Sequence, residues 1–128
     1  MTYEMSTTVT IDSSAWIEYF AGTTKGENVK KYIDENTNIF TPSICLMEIK
    51  NKYTREGHKF QDQIEFICNI SSIIDINKEI ALNAAEIKSK FNLYTIDAII
   101  YASSQIKKST LLTSDHHFRD LKNVEILE

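Results

Sequence analysis

The sequence predicts an α/β domain with a short-stranded, mainly parallel central sheet. Three observations carry this. Short apolar runs alternate with longer stretches whose apolar residues recur at helical spacing. The short runs are rich in β-branched residues, as parallel strands covered on both faces are. The length, 128 residues, is that of one domain of the usual ~100–150 residues, enough for one substantial core.

The elements follow in order. Thr7 to Ile11 alternates around Val9 and Ile11 and reads as a strand. Ser13 or Ser14 is a candidate cap for a helix carrying Trp16, Ile17, Phe20 and Ala21, which Gly22 stops. Lys25 to Asn36 repeats the helical pattern with Val29, Tyr32 and Ile33, and Asn38 to Thr41 is a short strand. Thr41-Pro42 then starts a helix, Thr41 as cap and Pro42 at its first position. This helix carries Ile44, Cys45, Glu48, Ile49 and Tyr53 and ends near Gly57.

Phe60, Ile64, Ile67 and Cys68 mark the next helix, and Ser72 to Ile76 a strand. Asn77 to Phe91 is the clearest helix, with Ile80, Ala84, Ile87 and Phe91 on one face. Thr95 is the expected cap of another, with Ile96, Ile99, Ile100 and Ile106 inward. Thr110 to Thr113 and Val124 to Leu127 are the last strands. No repeat or linker interrupts the chain. It is expected to form a single domain over 1–128, with the polar residues 1–6 outside its ordered part.

Composition excludes several classes. Lys and Arg total 14 against 18 Asp and Glu, a net charge of −4. Bulk positive charge therefore does not hold a nucleic acid here, though a local basic rim beside an enzyme site remains open. Three Gly and one Pro are too few for a collagenous or disordered chain. Cys45 and Cys68 form no CxxC and are expected as buried free thiols. Met1 to Ser6 lacks an apolar signal core, and no run approaches the ~18 apolar residues of a membrane span. A reducing cytoplasm is the expected location.

Four acids stand at informative positions. Asp12 directly follows the first strand, and Asp115 follows the Thr110–Thr113 strand with one residue between. Asp97 lies in the first turn of its helix and Glu48 in the second turn of the Pro42 helix. In an open parallel sheet the strand C-ends and helix N-ends share one edge, where ligands bind. Each acid alone has a plain structural reading: a helix cap, an answer to the helix dipole, a turn. Together those readings weaken. Glu48 and Asp97 are embedded in apolar runs, and no Lys or Arg lies close in sequence to Asp12 or Asp97. Buried carboxylates are costly unless compensated, and clustered ones oppose one another's ionisation. A divalent cation removes the conflict, and hard oxygen ligands favour Mg²⁺ or Mn²⁺ over zinc. One or two such ions suit phosphoryl chemistry.

In four segments the chain resembles the PIN-domain family, most closely its VapC-like ribonuclease toxins. They are Ile11-Asp12-Ser13-Ser14-Ala15-Trp16-Ile17; Thr41-Pro42-Ser43 leading to Glu48; Ile96-Asp97-Ala98-Ile99-Ile100-Tyr101-Ala102; and Leu111-Leu112-Thr113-Ser114-Asp115 followed by Phe118. The resemblance runs from about Val9 to Leu127. It implies a three-layer α/β/α sandwich, usually dimeric. It implies that Asp12, Glu48, Asp97 and Asp115 form an acidic metal-binding and catalytic quartet, with Ser14 and Thr113 as hydroxyls orienting a carboxylate, water or phosphate. The implied reaction is Mg²⁺- or Mn²⁺-dependent endonucleolytic hydrolysis of RNA, leaving 5′-phosphate and 3′-hydroxyl ends. The implied partner is a cognate antitoxin, with a segment in the acidic crevice. Some members carry a further acid near the site; Asp120 is the local candidate and equally a turn residue.

The remaining candidates are weaker. His116-His117 cannot share a helix face and has no third ligand at useful spacing, so it reads as a solvated or turn-forming pair, or as a phosphate contact at the rim. His58 lies in a polar loop. Lys50, Lys52, Arg55 and Lys59 form the densest basic cluster. It is either a solvated helix face or, through Lys50, Lys52 and Arg55, an RNA-backbone rim. Trp16, Tyr19 and Phe20 read as core or dimer contacts rather than stacking platforms. Alternatives to a toxin are a PIN nuclease of RNA processing or quality control, a metal-assisted phosphotransfer domain, and a non-catalytic interaction module. The phosphotransfer reading wants a second Asp two residues after Asp12, where Ser14 stands, or a Lys after a late strand, where Thr113-Ser114-Asp115 has none.

Overall fold

The computed structural model describes residues 8–35 and 37–128. The expectations for residues 1–6, for Thr7 as a strand residue and for Asn36 as a helical one lie outside that range. Along the chain run β1 (Thr8–Ile11), α1 (Ser13–Ala21), α2 (Thr24–Asp34), β2 (Asn38–Pro42), α3 (Ser43–Arg55) and α4 (Gln61–Ile70). Then come β3 (Ser72–Ile74), α5 (Lys78–Phe91), α6 (Thr95–Ile106), β4 (Thr110–Thr113), a 3₁₀ turn over His116–Phe118, and β5 (Val124–Ile126).

All four strand pairings are parallel, in the order β3-β2-β1-β4-β5. Val9 pairs with Ile39 on one side and Thr110 on the other. The chain winds outward from β1 to β3, returns to the middle, and winds outward again from β4 to β5. The reversal falls between β1 and β4. That is the topological switch point, where the diverging connections of an open parallel sheet leave a crevice at the strand C-ends.

Alternation along β1 and β4 divides the core between the two faces of the sheet. Val9, Ile11 and Leu112 join Trp16, Val29, Ile49 and Ile67 in one cluster, while Leu111 joins Tyr101, Ile100 and Phe118 in another, and Ala98, Ala102, Ile80 and Ala84 form a third. Helices on both faces complete the three-layer α/β/α sandwich. Helix α3 serves both sides, Ile49 in the first cluster and Cys45 in the second.

Trp16 anchors the first layer. It is fully buried, stacked on Phe20 with ring centroids 5.7 Å apart and edge-on to Phe66 at 6.2 Å. Its indole N–H donates to Thr41 Oγ1 at 3.1 Å. Trp16 is therefore a core residue, and Tyr19 and Phe20 are half-buried against the same cluster. Gly26 is the tightest approach: a Cβ there would lie 2.3 Å from the Glu18 carbonyl oxygen, so α2 can pack on α1 only with glycine at this point.

Local expectations are corrected in four places. Neither Ser13 nor Ser14 caps α1; Asp12 does, accepting from Ala15 N. Thr41 is not the cap of α3, because its hydroxyl is taken by Trp16 and by Ser71 at 2.8 Å; Pro42 ends β2, and α3 begins at Ser43 with no side-chain cap. Thr95 is the first residue of α6 rather than its cap. Cys45 is buried but Cys68 is exposed, one position past buried Ile67 and so turned off the inward face. Among the described residues no helix is long and apolar enough to cross a membrane.

Candidate active site

The crevice at the switch point is built from the ends of β1 and β4, the first turns of α1 and α6 and the second turn of α3. Asp12 is its floor. It leaves β1 extended, its own N–H continuing the ladder to Leu112 O at 3.2 Å, and caps α1. Only 2% of it is exposed. Oδ1 accepts from Ala15 N at 3.0 Å and Ser14 Oγ at 2.7 Å, and Oδ2 accepts from Thr113 Oγ1 at 2.6 Å. So Asp12 does cap a helix, but a cap needs one oxygen; the hydroxyls around it orient the whole carboxylate.

The two hydroxyls also tie the strand ends together. Ser14 Oγ accepts from Ser114 N at 3.0 Å, and Thr113 Oγ1 accepts from Asp115 N at 2.9 Å. One small network thus fixes Asp12 and the backbone of Asp115, across a sequence separation of about a hundred residues. From α3, Glu48 is held by Ser13 Oγ, which donates to Oε1 at 2.8 Å. Asp97, at the third position of α6, and Asp115, capping the 3₁₀ turn, are partly buried beside it.

Electrostatics shows the convergence. Burial pushes Asp12 up to about 6; hydrogen bonds from Thr113, Ala15 and Ser14 pull back, and the Asp115 charge pushes further. Burial raises Glu48, and the charges of Asp97 and Asp115 add to it against the Ser13 hydrogen bond. Asp97 is raised by burial and by Asp115. Even the buried Cys45 thiol, raised mainly by burial, feels Asp12, Glu48 and Asp97. The Asp115 charge thus reaches Asp12, Glu48 and Asp97, and that of Asp97 reaches Glu48; among the described residues no Lys or Arg forms an ion pair with any of the four.

His117 is the participant that the sequence left undetermined. Its Nδ1 lies 3.4 Å from Asp97 Oδ2 and 3.2 Å from Asp115 Oδ1, and its ring meets Tyr94 edge-on at 5.2 Å. Potential ligand atoms of Asp97, Asp115 and His117 all lie within 4.8 Å of one another. The pair does divide as adjacency requires: His116 turns away to Arg119, 2.9 Å distant. The usable signal was the cap, since Asp115 Oδ1 accepts from His117 N at 2.9 Å and so folds that residue back over the acid. Ser13 was read only as a possible cap, and its contact with Glu48 needs the crossing of α1 and α3. Asp120, at φ 75°, is an exposed turn residue outside these hydrogen bonds.

A groove opens beside Glu48, with a volume of about 330 Å³. Lys52 and Arg55 line it with Asn51, Met47 and Ile96, as their four- and seven-residue offsets from Glu48 on α3 require. Lys50 is outside it, its ammonium 5.1 Å from the Phe60 ring centroid. An oxygen-dominated donor set that repels itself when ionised fits a hard divalent cation.

Fold and crevice define a class of α/β domain with an acid-lined switch point. The chain belongs to the PIN domain family, whose model matches residues 9–124. No curated protein sequence matches it significantly. A chain of VapBC2 from Rickettsia felis, bound to a DNA fragment from its promoter, superposes with a TM-score of 0.77 at 16% identity, covering 94% of this chain and 99% of that one. A chain of a toxin–antitoxin complex from Klebsiella pneumoniae gives 0.76 at 20% identity, with 91% and 95% covered. VapC20 from Mycobacterium tuberculosis, a toxin that cleaves the sarcin-ricin loop, gives 0.73 at 17% identity, with 94% and 99% covered. At these identities the likeness is one of fold.

Proposed function

We propose that the protein is a Mg²⁺- or Mn²⁺-dependent endoribonuclease, acting in the cytoplasm as the toxin of a toxin–antitoxin pair. The observation that carries this reading is the convergence of Asp12, Glu48, Asp97 and Asp115 at the switch point with no Lys or Arg paired to them among the described residues. Family membership and the VapC-like fold support it.

Asp12, Asp97 and Asp115 would hold one or two ions, with Glu48 as a further ligand or as the base for the attacking water. The bound metal would polarise the scissile phosphate and lower the pKa of water. Ser14 and Thr113 hold the Asp12 carboxylate in one orientation, and Ser13 aims Glu48. The raised affinity of Glu48 for a proton suits a group that takes one from water. Lys52 and Arg55 would receive the RNA backbone along the groove; Lys50, which lies over Phe60, would need to swing away from that ring to join them. The inhibitory partner would be an antitoxin segment seated in the crevice, an Arg against the carboxylates, and the toxin itself would be a homodimer.

The test is cleavage of RNA by purified protein with Mn²⁺, comparing wild type with Asp12→Asn and Asp97→Asn. Both variants are expected to lose activity while still folding. Full activity in both would sink the mechanism. Copurification with the product of the adjacent gene tests the partner.

A further inference from the structure

Among the described residues Tyr94 is the most exposed of the large hydrophobic side chains, with 68% of its surface open to solvent. A side chain of that size normally buries its ring, and an exposed aromatic beside a site marks a contact surface. It is the residue immediately before α6, three positions ahead of Asp97, and makes no side-chain capping bond. Its ring meets His117 edge-on, centroids 5.2 Å apart and planes at 64°. His117 in turn is within 3.4 Å of Asp97 and 3.2 Å of Asp115. One imidazole therefore separates the Tyr94 ring from the acids. Most of the ring is open to solvent beside that contact. Ile96, between Tyr94 and Asp97 in the chain, belongs to the groove with Glu48, Lys52 and Arg55, so the same helix start carries the aromatic ring, an acid and a wall of the basic groove.

We propose that Tyr94 is the stacking platform for the unpaired nucleobase next to the scissile phosphate. A base inside a duplex has both faces covered by its neighbours, whereas a splayed base needs an aromatic face to replace them. Stacking is tolerant of sequence, so Tyr94 sets the register of the cut rather than its sequence. The inference rests on the ribonuclease reading above and goes beyond it.

The experiment uses a single-stranded oligoribonucleotide of mixed sequence, whose cut site is mapped first with wild type and Mn²⁺. Tyr94→Ala is expected to raise KM roughly 5–150-fold, the range that the loss of one base–aromatic stack implies. Tyr94→Trp is expected to keep KM near wild type. The penalty is expected to vanish when the nucleotide flanking the cut is made abasic. In a second readout, with Ca²⁺ in place of Mn²⁺, an oligonucleotide carrying 2-aminopurine at that position is expected to lose fluorescence on binding wild type but not Tyr94→Ala. Cleavage by wild type with the same KM in Tyr94→Ala would overturn the stacking role and leave the nuclease intact. A wild type that neither binds nor cleaves the RNA would overturn both. Release from antitoxin inhibition by Tyr94→Ala, with RNA binding unchanged, would reassign the ring to a protein contact and overturn the proposal.

Discussion

Asp12 carries a conflict that no other residue shares to the same degree: it is buried, hydrogen-bonded through both oxygens and faced by another acid. Its affinity for a proton rises from the ordinary 3.8 to about 6 on folding. The folded state thus binds the proton more tightly than the unfolded one. The associated stability is fully present below about 3.8 and is lost as the pH rises through about 6. At neutral pH the ionised group costs the metal-free protein about 3 kcal/mol. In chelator, Asp12→Asn is therefore expected to unfold at a higher temperature than wild type at pH 7–8, with the gap closing as the pH falls through 6 towards 4. Thermal melts across that range measure it; a constant gap would refute the assignment. A second expectation concerns Thr113→Val, nearly equal in volume but without the hydroxyl that donates to Asp12 and accepts from Asp115 N. Its Mn²⁺ affinity in calorimetric titration is expected to fall ~10–100-fold; an unchanged affinity would show that the hydroxyl orients nothing. The four acids were legible in the sequence because strand ends and helix turns locate them, whereas the Ser14 and Thr113 hydroxyls came only with the family resemblance. His117, Ser13 and Tyr94 were not, because each depends on a turn or helix crossing that periodicity does not encode.

Among the elements, the contact of α1 with α2 is the tightest. At Gly26 the obstruction is the Glu18 carbonyl and the Tyr19 Cα, backbone atoms that cannot rotate away. Gly26→Ala would ordinarily favour a helix; here it is expected to destabilise by about 1–3 kcal/mol, because α2 must shift off α1. Denaturant unfolding measures the sign, and a stabilised variant would mean that the helices part freely. Boundaries were largely legible at this scale. The helix expected over Asn77 to Phe91 is α5, with Asn77 as its cap, accepting from Ile80 N at 2.9 Å, and Gly22 does end α1 at φ 71°. Caps failed where the candidate hydroxyl had a tertiary partner. Thr41 is the clear case: its side chain serves Trp16 and Ser71, a demand that local sequence cannot reveal. The isoleucines expected inward on α6 do face the core, Ile100 within it and Ile96, Ile99 and Ile106 at its edge, but they are not the whole of that face. Ala98 and Ile100 through Ser104 are buried, whereas Ile96, Ile99 and Ile106 are only half-buried; small residues line the close contact, and hydropathy alone undervalues them.

For the whole molecule, a net charge of −4 is partly a property of one crevice. Cation binding and folding are then linked. Mn²⁺ at a hundredfold excess over its dissociation constant is expected to stabilise the wild type by about 2.7 kcal/mol. That gain is expected to disappear in Asp97→Asn, and scanning calorimetry with and without the ion measures both. The parallel α/β class was legible because strand and helix signals alternate. The lateral order β3-β2-β1-β4-β5 was not, since no pattern within a strand names its neighbour. That order has a consequence for synthesis. β1 pairs with β4, Val9 with Thr110, so the central seam cannot close until the ribosome has released the fourth strand. Closure across such a separation is entropically slow. Asp12, Glu48 and Asp97 all emerge earlier, but Thr113 and Asp115 arrive with β4 or just after it. A nascent chain carries most of the acids before the crevice that gathers them can form; the site assembles only once β4 and Asp115 have emerged.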